Sequence, residues 1–146
     1  MMEEPCEDQC RRAVEVLVVD DHREITELVA ETLHDEGYAV RVAHDGVSAL
    51  RAVRAQRPGL LLLDVAMPAL TGDQVLQHLR SEGYHDLPII LMTADRSPER
   101  YSALGPNRLL RKPFDLDQLV RAVGECVARA ALPGYAPRLQ ARELGA

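Results

Sequence analysis

The sequence predicts a doubly wound α/β domain, a parallel sheet of five strands with a helix after each. Two observations carry that prediction. Short continuous apolar runs recur at Val16 to Val19, Leu60 to Leu63 and Ile89 to Met92, as expected of central parallel strands covered on both faces. Between them lie segments with helical spacing of apolar residues, joined by short connections, the pattern that builds right-handed β-α-β crossovers. With 146 residues and 47% apolar content the chain can bury one sound core, whereas a second domain would be too small to stand alone.

Each element has its own signal. Residues 1–13 are polar and aperiodic and read as a flexible arm. After the first strand, Ile25, Leu28, Val29, Thr32 and Leu33 follow helical spacing, with Gly37 as the stop. Val40-Arg41-Val42 alternates, so the second strand belongs at a sheet edge with one wetter face. Asp45 is the N-cap of a helix that carries Val47, Leu50 and Val53 inward and ends before Pro58. Beyond Leu60 to Leu63, Thr71 and Gln74 form a capping box for a helix whose Val75, Leu76 and Leu79 face the core, and Gly83 ends it. Leu87 to Met92 is the fourth strand. Ser97-Pro98-Glu99 opens a helix, but only a short one fits before Gly105-Pro106. Leu109-Leu110 makes a brief fifth strand at the other edge, and Asp115 caps a last helix with the stripe Leu116, Leu119, Val120, Val123 and Val127. The expected organisation is an arm at 1–13, one domain at 14–131 and a tail at 132–146 that holds no output domain.

The edge assignments favour the strand order 2-1-3-4-5, the flavodoxin-like (βα)5 arrangement, with its switch point between strands 1 and 3. In such sheets ligands bind at the carboxyl ends of the strands. Those ends carry Asp20 and Asp21 after strand 1, Asp64 after strand 3, Thr93 after strand 4 and Lys112-Pro113 after strand 5. Neighbouring strands lie about 4.8 Å apart, so the three carboxylates converge and repel, and a cation relieves the cost. Magnesium suits hard oxygen ligands best, and no cysteine or histidine cluster competes for a softer metal. Lys112 offers charge and Thr93 a hydroxyl to a phosphoryl group, whose transfer needs mainly positioning and charge stabilisation. Asp64 is the best nucleophile. Taken singly, the acidic pair reads as a turn or cap, Thr93 as a capping residue and Lys112 as a solvated lysine; their joint placement carries the functional reading.

Acidic residues outnumber basic ones, 23 to 17, and the net charge of −6 argues against broad binding to nucleic acid or membrane surfaces, leaving a protein as the expected partner. The acidic N-terminus lacks an apolar stretch, so no signal peptide is expected, and no apolar run nears the roughly 18 residues of a membrane span. A cytoplasmic location follows as the expectation. Three cysteines, Cys6, Cys10 and Cys126, do not make a disulfide framework; the first two have i, i+4 spacing but no further paired ligands nearby, and read as part of the flexible arm rather than a zinc site, and the third reads as a buried thiol. The histidines His22, His34, His44, His78 and His85 read as surface residues. Asp95 reads either as a group controlling water near the site or as a carboxylate at a helix start.

The ordered signatures Asp20-Asp21, Asp64-Val65-Ala66-Met67-Pro68 with Gly72, Thr93-Ala94 and Lys112-Pro113-Phe114 resemble the receiver domain of two-component response regulators, over residues from about 14 to 131. The resemblance implies that Asp64 is the phosphoacceptor for a sensor histidine kinase or phosphotransfer protein. Asp21, Asp64 and the backbone carbonyl of Ala66 would bind Mg2+, with Asp20 acting through water, while Thr93 and Lys112 would contact the phosphoryl oxygens. It also implies a cis Lys112-Pro113 bond, switching of contacts with a downstream protein, room for a homodimer, and no catalysis beyond its own phosphorylation and slow dephosphorylation. Two departures stand out: Leu109 replaces the family's usual aromatic residue three places before the lysine, and the fourth helix is about one turn short. They keep open a phosphorylation-insensitive scaffold. A magnesium phosphatase of the haloacid-dehalogenase type uses similar residues, but places the nucleophilic aspartate first and the acidic pair last.

Overall fold

The computed structural model describes residues 14–130. The arm with Cys6 and Cys10, and the tail, lie outside the described residues. In chain order the elements are β1 (Glu15–Val19), α1 (Arg23–Asp35), β2 (Ala39–Ala43), α2 (Gly46–Ala55), β3 (Leu60–Asp64), α3 (Gly72–Ser81), β4 (Ile89–Thr93), a 3-10 helix (Pro98–Leu104), β5 (Arg108–Arg111) and α4 (Leu116–Ala130). The strands form one parallel sheet in the order β2-β1-β3-β4-β5, the flavodoxin-like arrangement.

The alternation of side chains along each strand explains why the inner strands are apolar throughout. Leu17, Val19, Leu61, Leu63, Ile89 and Leu91 face α2, α3 and Tyr101 of the 3-10 helix. Val16, Val18, Leu60, Leu62, Ile90 and Met92 face α1 and α4. Both layers are dry, so every residue of β3 and β4 is buried. At the edge, β2 is only partly covered, but the alternation is not kept: Val42 is 45% exposed, while Arg41 folds against the Glu15 carboxylate and is half-buried.

Three expected caps are present, while Ser97, which opens the segment ahead of Pro98, makes no side-chain capping bond. Asp45 accepts from the Ser48 N–H at 2.7 Å, Gln74 accepts from the Thr71 N–H at 3.0 Å, and Asp115 and Gln118 exchange bonds of 2.7 and 2.9 Å. Three inward assignments are corrected: Leu28 and Val47 are about half exposed, and Leu116 is 37% exposed, because the stripe each helix buries is narrower than its apolar spacing. Thr26 and Ala122 take buried places instead, and Cys126 is buried as expected. The segment after β4 is a seven-residue 3-10 helix, closed by Gly105 in the left-handed region (φ 81°), in place of a fourth α-helix.

Candidate functional site

β1, β3 and β4 pair in register, so their carboxyl ends share one edge of the sheet, and Asp20, Asp64 and Thr93 reach it together. Asp20 is fully buried, Asp64 is 2% exposed and Thr93 is 3% exposed. Lys112 follows β5, and its backbone N–H donates to the Thr93 carbonyl at 2.7 Å, which holds the lysine at the same edge. The Lys112-Pro113 bond is cis, as the resemblance implied.

The Lys112 ammonium lies between two buried carboxylates, 3.0 Å from Asp20 Oδ2 and 3.2 Å from Asp64 Oδ1. Burial works against both carboxylates, yet they end on opposite sides of their ordinary range. For Asp20 the burial penalty is outweighed by the His22 backbone N–H and by Lys112, so its carboxyl titrates low. For Asp64 burial prevails with help from the Asp20 charge, against Lys112 and the Ala66 backbone N–H, and its carboxyl titrates high. Burial lowers the Lys112 affinity for a proton, but the two aspartates raise it further, so the ammonium is held charged.

Asp64 Oδ2 is buried and receives no hydrogen bond from the described residues. A buried carboxylate oxygen in that state is costly, and a cation satisfies it. One donor atom from each of Asp20, Asp21, His22 and Asp64 lies within 4.8 Å of the others. The residues present therefore fit a divalent cation, with carboxylate oxygens as the main donors.

The loop after β3 is closed at its root. The Gly72 N–H donates to the Val65 carbonyl at 3.0 Å, and a Cβ on Gly72 would stand 2.1 Å from the Asp64 carbonyl oxygen, so only glycine lets α3 start against the end of β3. Ala66 lies exposed in this loop, and Ala69 takes a left-handed conformation with φ 66°.

Thr93 Oγ1 accepts from the Asp95 N–H at 3.0 Å. The Asp95 carboxylate in turn accepts from the Ser97 N–H at 2.9 Å and pairs with Arg100 at 3.0 Å, so Asp95 is a carboxylate at the helix start. The structure thus groups Asp20, Asp21, Asp64 and Lys112 directly and sets Thr93 beside them. It also adds a residue that sequence reasoning left on the surface. His22 Nδ1 stands 3.0 Å from Asp20 Oδ1 and 3.1 Å from Asp21 Oδ1, while its side chain is 63% exposed. The only signal for it was adjacency to the acidic pair.

The chain matches the response regulator receiver domain family over residues 16–124. It is 43% identical to the response regulator MprA of Mycobacterium ulcerans over 82% of this chain and 53% of that protein, and 46% identical to MprA of Mycobacterium bovis over 74% of this chain and 48% of that protein. The chain therefore spans about half the length of these curated relatives. Among solved structures, the Vibrio cholerae chemotaxis protein CheY4 superposes with a TM-score of 0.73 at 34% identity, covering 77% of this chain and 98% of that one. The receiver domain of the Francisella response regulator 1452 gives 0.76 at 28% identity, covering 80% and 98%. Among the described residues no helix is long and apolar enough to cross a membrane. The order of the strands, the grouping of acids and lysine at one sheet edge and these matches together make this chain a member of the response regulator receiver domain family of two-component signalling.

Proposed function

We propose that Asp64 is the phosphoacceptor, taking a phosphoryl group from the phosphohistidine of a sensor histidine kinase or phosphotransfer protein and thereby switching the chain's contacts with a downstream protein. The observation that carries this reading is the buried Asp64 carboxylate, with one oxygen against Lys112 and the other without a donor among the described residues. In the transfer an Asp64 carboxylate oxygen bonds to phosphorus as the phosphorus–nitrogen bond breaks, and the departing imidazole nitrogen keeps the electron pair and takes a proton from solvent. Lys112 is then free to turn from the carboxylate toward the phosphoryl oxygens, and the Thr93 hydroxyl can donate to them while still accepting from Asp95.

Asp21, Asp64 and the Ala66 backbone carbonyl would hold Mg2+, with Asp20 acting through water and through Lys112. When bound, the ion supplies positive charge against the carboxylates and the incoming phosphoryl oxygens. In this reading residues 14–131 are the receiver, the location is cytoplasmic, and the chain is a signalling phosphoacceptor without multiple turnover.

Incubation with acetyl phosphate or a cognate kinase and Mg2+ should add one acid-labile phosphoryl group to the wild type and none to Asp64→Asn, read by intact mass. Normal labelling of Asp64→Asn would refute the assignment. A second reading, a scaffold indifferent to phosphorylation, is favoured by Leu109 and by the 3-10 helix that replaces a longer fourth helix. Equal partner affinity or self-association with and without beryllofluoride and Mg2+ would support it, since a ligand shifts only an equilibrium whose states it distinguishes.

A further inference from the structure

We propose that His22 Nδ1 is itself a metal ligand, so that this site accepts a borderline transition-metal dication, of the Co2+ or Ni2+ kind, in a mixed imidazole and carboxylate shell. The inference rests on the reading of Asp21 and Asp64 as cation-binding carboxylates. Three observations lead to it. The Nδ1 atom lies 3.1 Å from an oxygen of Asp21 and 3.0 Å from Asp20 Oδ1, to which it is hydrogen-bonded, so ligation exchanges that bond for one to the ion. Adjacent donors of an octahedral ion with bonds near 2.1 Å stand about 3.0 Å apart and opposite donors about 4.2 Å, so a set spanning 4.8 Å needs only a small contraction.

The second observation is independent of the acids' mutual spacing. Asp64 belongs to this set and is only 2% exposed, and its buried Oδ2 receives no hydrogen bond from the described residues, which makes it a ready oxygen ligand. The third concerns the ring. His22 is the N-cap of α1, yet its side chain makes no capping bond; its backbone N–H is fastened to Asp20 Oδ1 at 2.9 Å, which holds the ring over the acids. Imidazole nitrogen favours Co2+, Ni2+ and Zn2+ over Mg2+, which prefers oxygen and retains water. On binding, the nitrogen gives up any proton it holds to solvent and presents its lone pair to the ion.

The test is calorimetric titration of the full chain with Mg2+ and, separately, with Co2+, for wild type, His22→Ala and His22→Asn, in mildly alkaline buffer. Removing the imidazole should weaken Co2+ binding by about tenfold or more while moving Mg2+ affinity by less than about threefold. His22→Asn places a helix-capping side chain at this N-cap without an imidazole and should track His22→Ala. Proton NMR of the Co2+-loaded wild type should show imidazole ring signals shifted far outside the diamagnetic range, absent from both variants. Unchanged Co2+ affinity in the variants, or no shifted ring signals, overturns the inference while normal Mg2+ binding leaves the acidic site standing. Failure of the wild type to bind either ion overturns both.

Discussion

Lys112 sits between two buried carboxylates, and its removal tests how much of the resting site depends on that one charge. Lys112→Met leaves Asp20 and Asp64 buried side by side without their cation, a loss of about 3–5 kcal/mol in urea unfolding at neutral pH with chelator present. Lower pH or added Mg2+ should recover part of it, since each neutralises the carboxylates. Asp64→Asn should act in the opposite direction. Asp64 titrates above its ordinary value of 3.8 in the folded chain, so its favourable contribution is complete below that pH and is lost as pH rises through the folded-state value. In chelator the variant is therefore expected to be more stable than wild type at neutral pH, with the advantage disappearing in acid; a pH series of urea midpoints checks it. The acids and the lysine were legible in the sequence because apolar runs mark where strands end. The contrary titration of Asp20 and Asp64 was not, because it depends on burial and on which oxygens the lysine and the His22 N–H reach. His22 was missed for a related reason: a single histidine has no periodicity, and only the turn after β1 folds its ring back over the acids.

Among the helices, the termini were more legible than the faces. Asp45, Thr71 with Gln74, and Asp115 are local signals that need no tertiary information, and all act where the sequence placed them. Asp45→Ala should cost about 1 kcal/mol, measured by thermal or urea unfolding. Leu28, Val47 and Leu116 share the apolar spacing of their helices, but the width of a buried stripe is set by the opposing surface, which spacing does not report. The same limit hid Arg80. It lies on α3, 7% exposed, and its guanidinium donates to the carbonyls of Leu87 at 2.8 Å and Gly105 at 3.0 Å, tying the end of α3 to the approach to β4 and to the end of the 3-10 helix. Arg80→Leu should cost about 3 kcal/mol by urea unfolding, since buried carbonyls lose charged donors. Gly72→Ala forces a methyl group into the Asp64 carbonyl, where neither backbone can yield, and should cost about 3 kcal/mol or more while also lowering phosphoryl uptake.

Across the whole molecule, strand order was legible because edge and central strands differ in composition: Val40-Arg41-Val42 against Leu60 to Leu63. The route from the site outward was not. It runs from Thr93 through the Asp95 N–H to a carboxylate that holds Ser97 and Arg100, while Tyr101, 8% exposed, packs in the core layer that Leu104 and Leu109 border. Beryllofluoride with Mg2+ should move the NMR signals of Asp95 and the Tyr101 ring in wild type, and Thr93→Ala should keep the perturbation around Asp64 while losing it at Tyr101. The closed root of the loop between β3 and α3 has a further consequence for how this surface can be altered. Since Val65 and Gly72 are already fastened to each other, extra residues spliced between Pro68 and Ala69, both exposed, would bulge outward and leave the anchorage of α3 where it is. Such a splice would have to remake the Leu70 N–H bond to the Pro68 carbonyl, and because Ala66 lies on the loop side of the fastened root, it would spare the position of α3 while disturbing the Ala66 carbonyl.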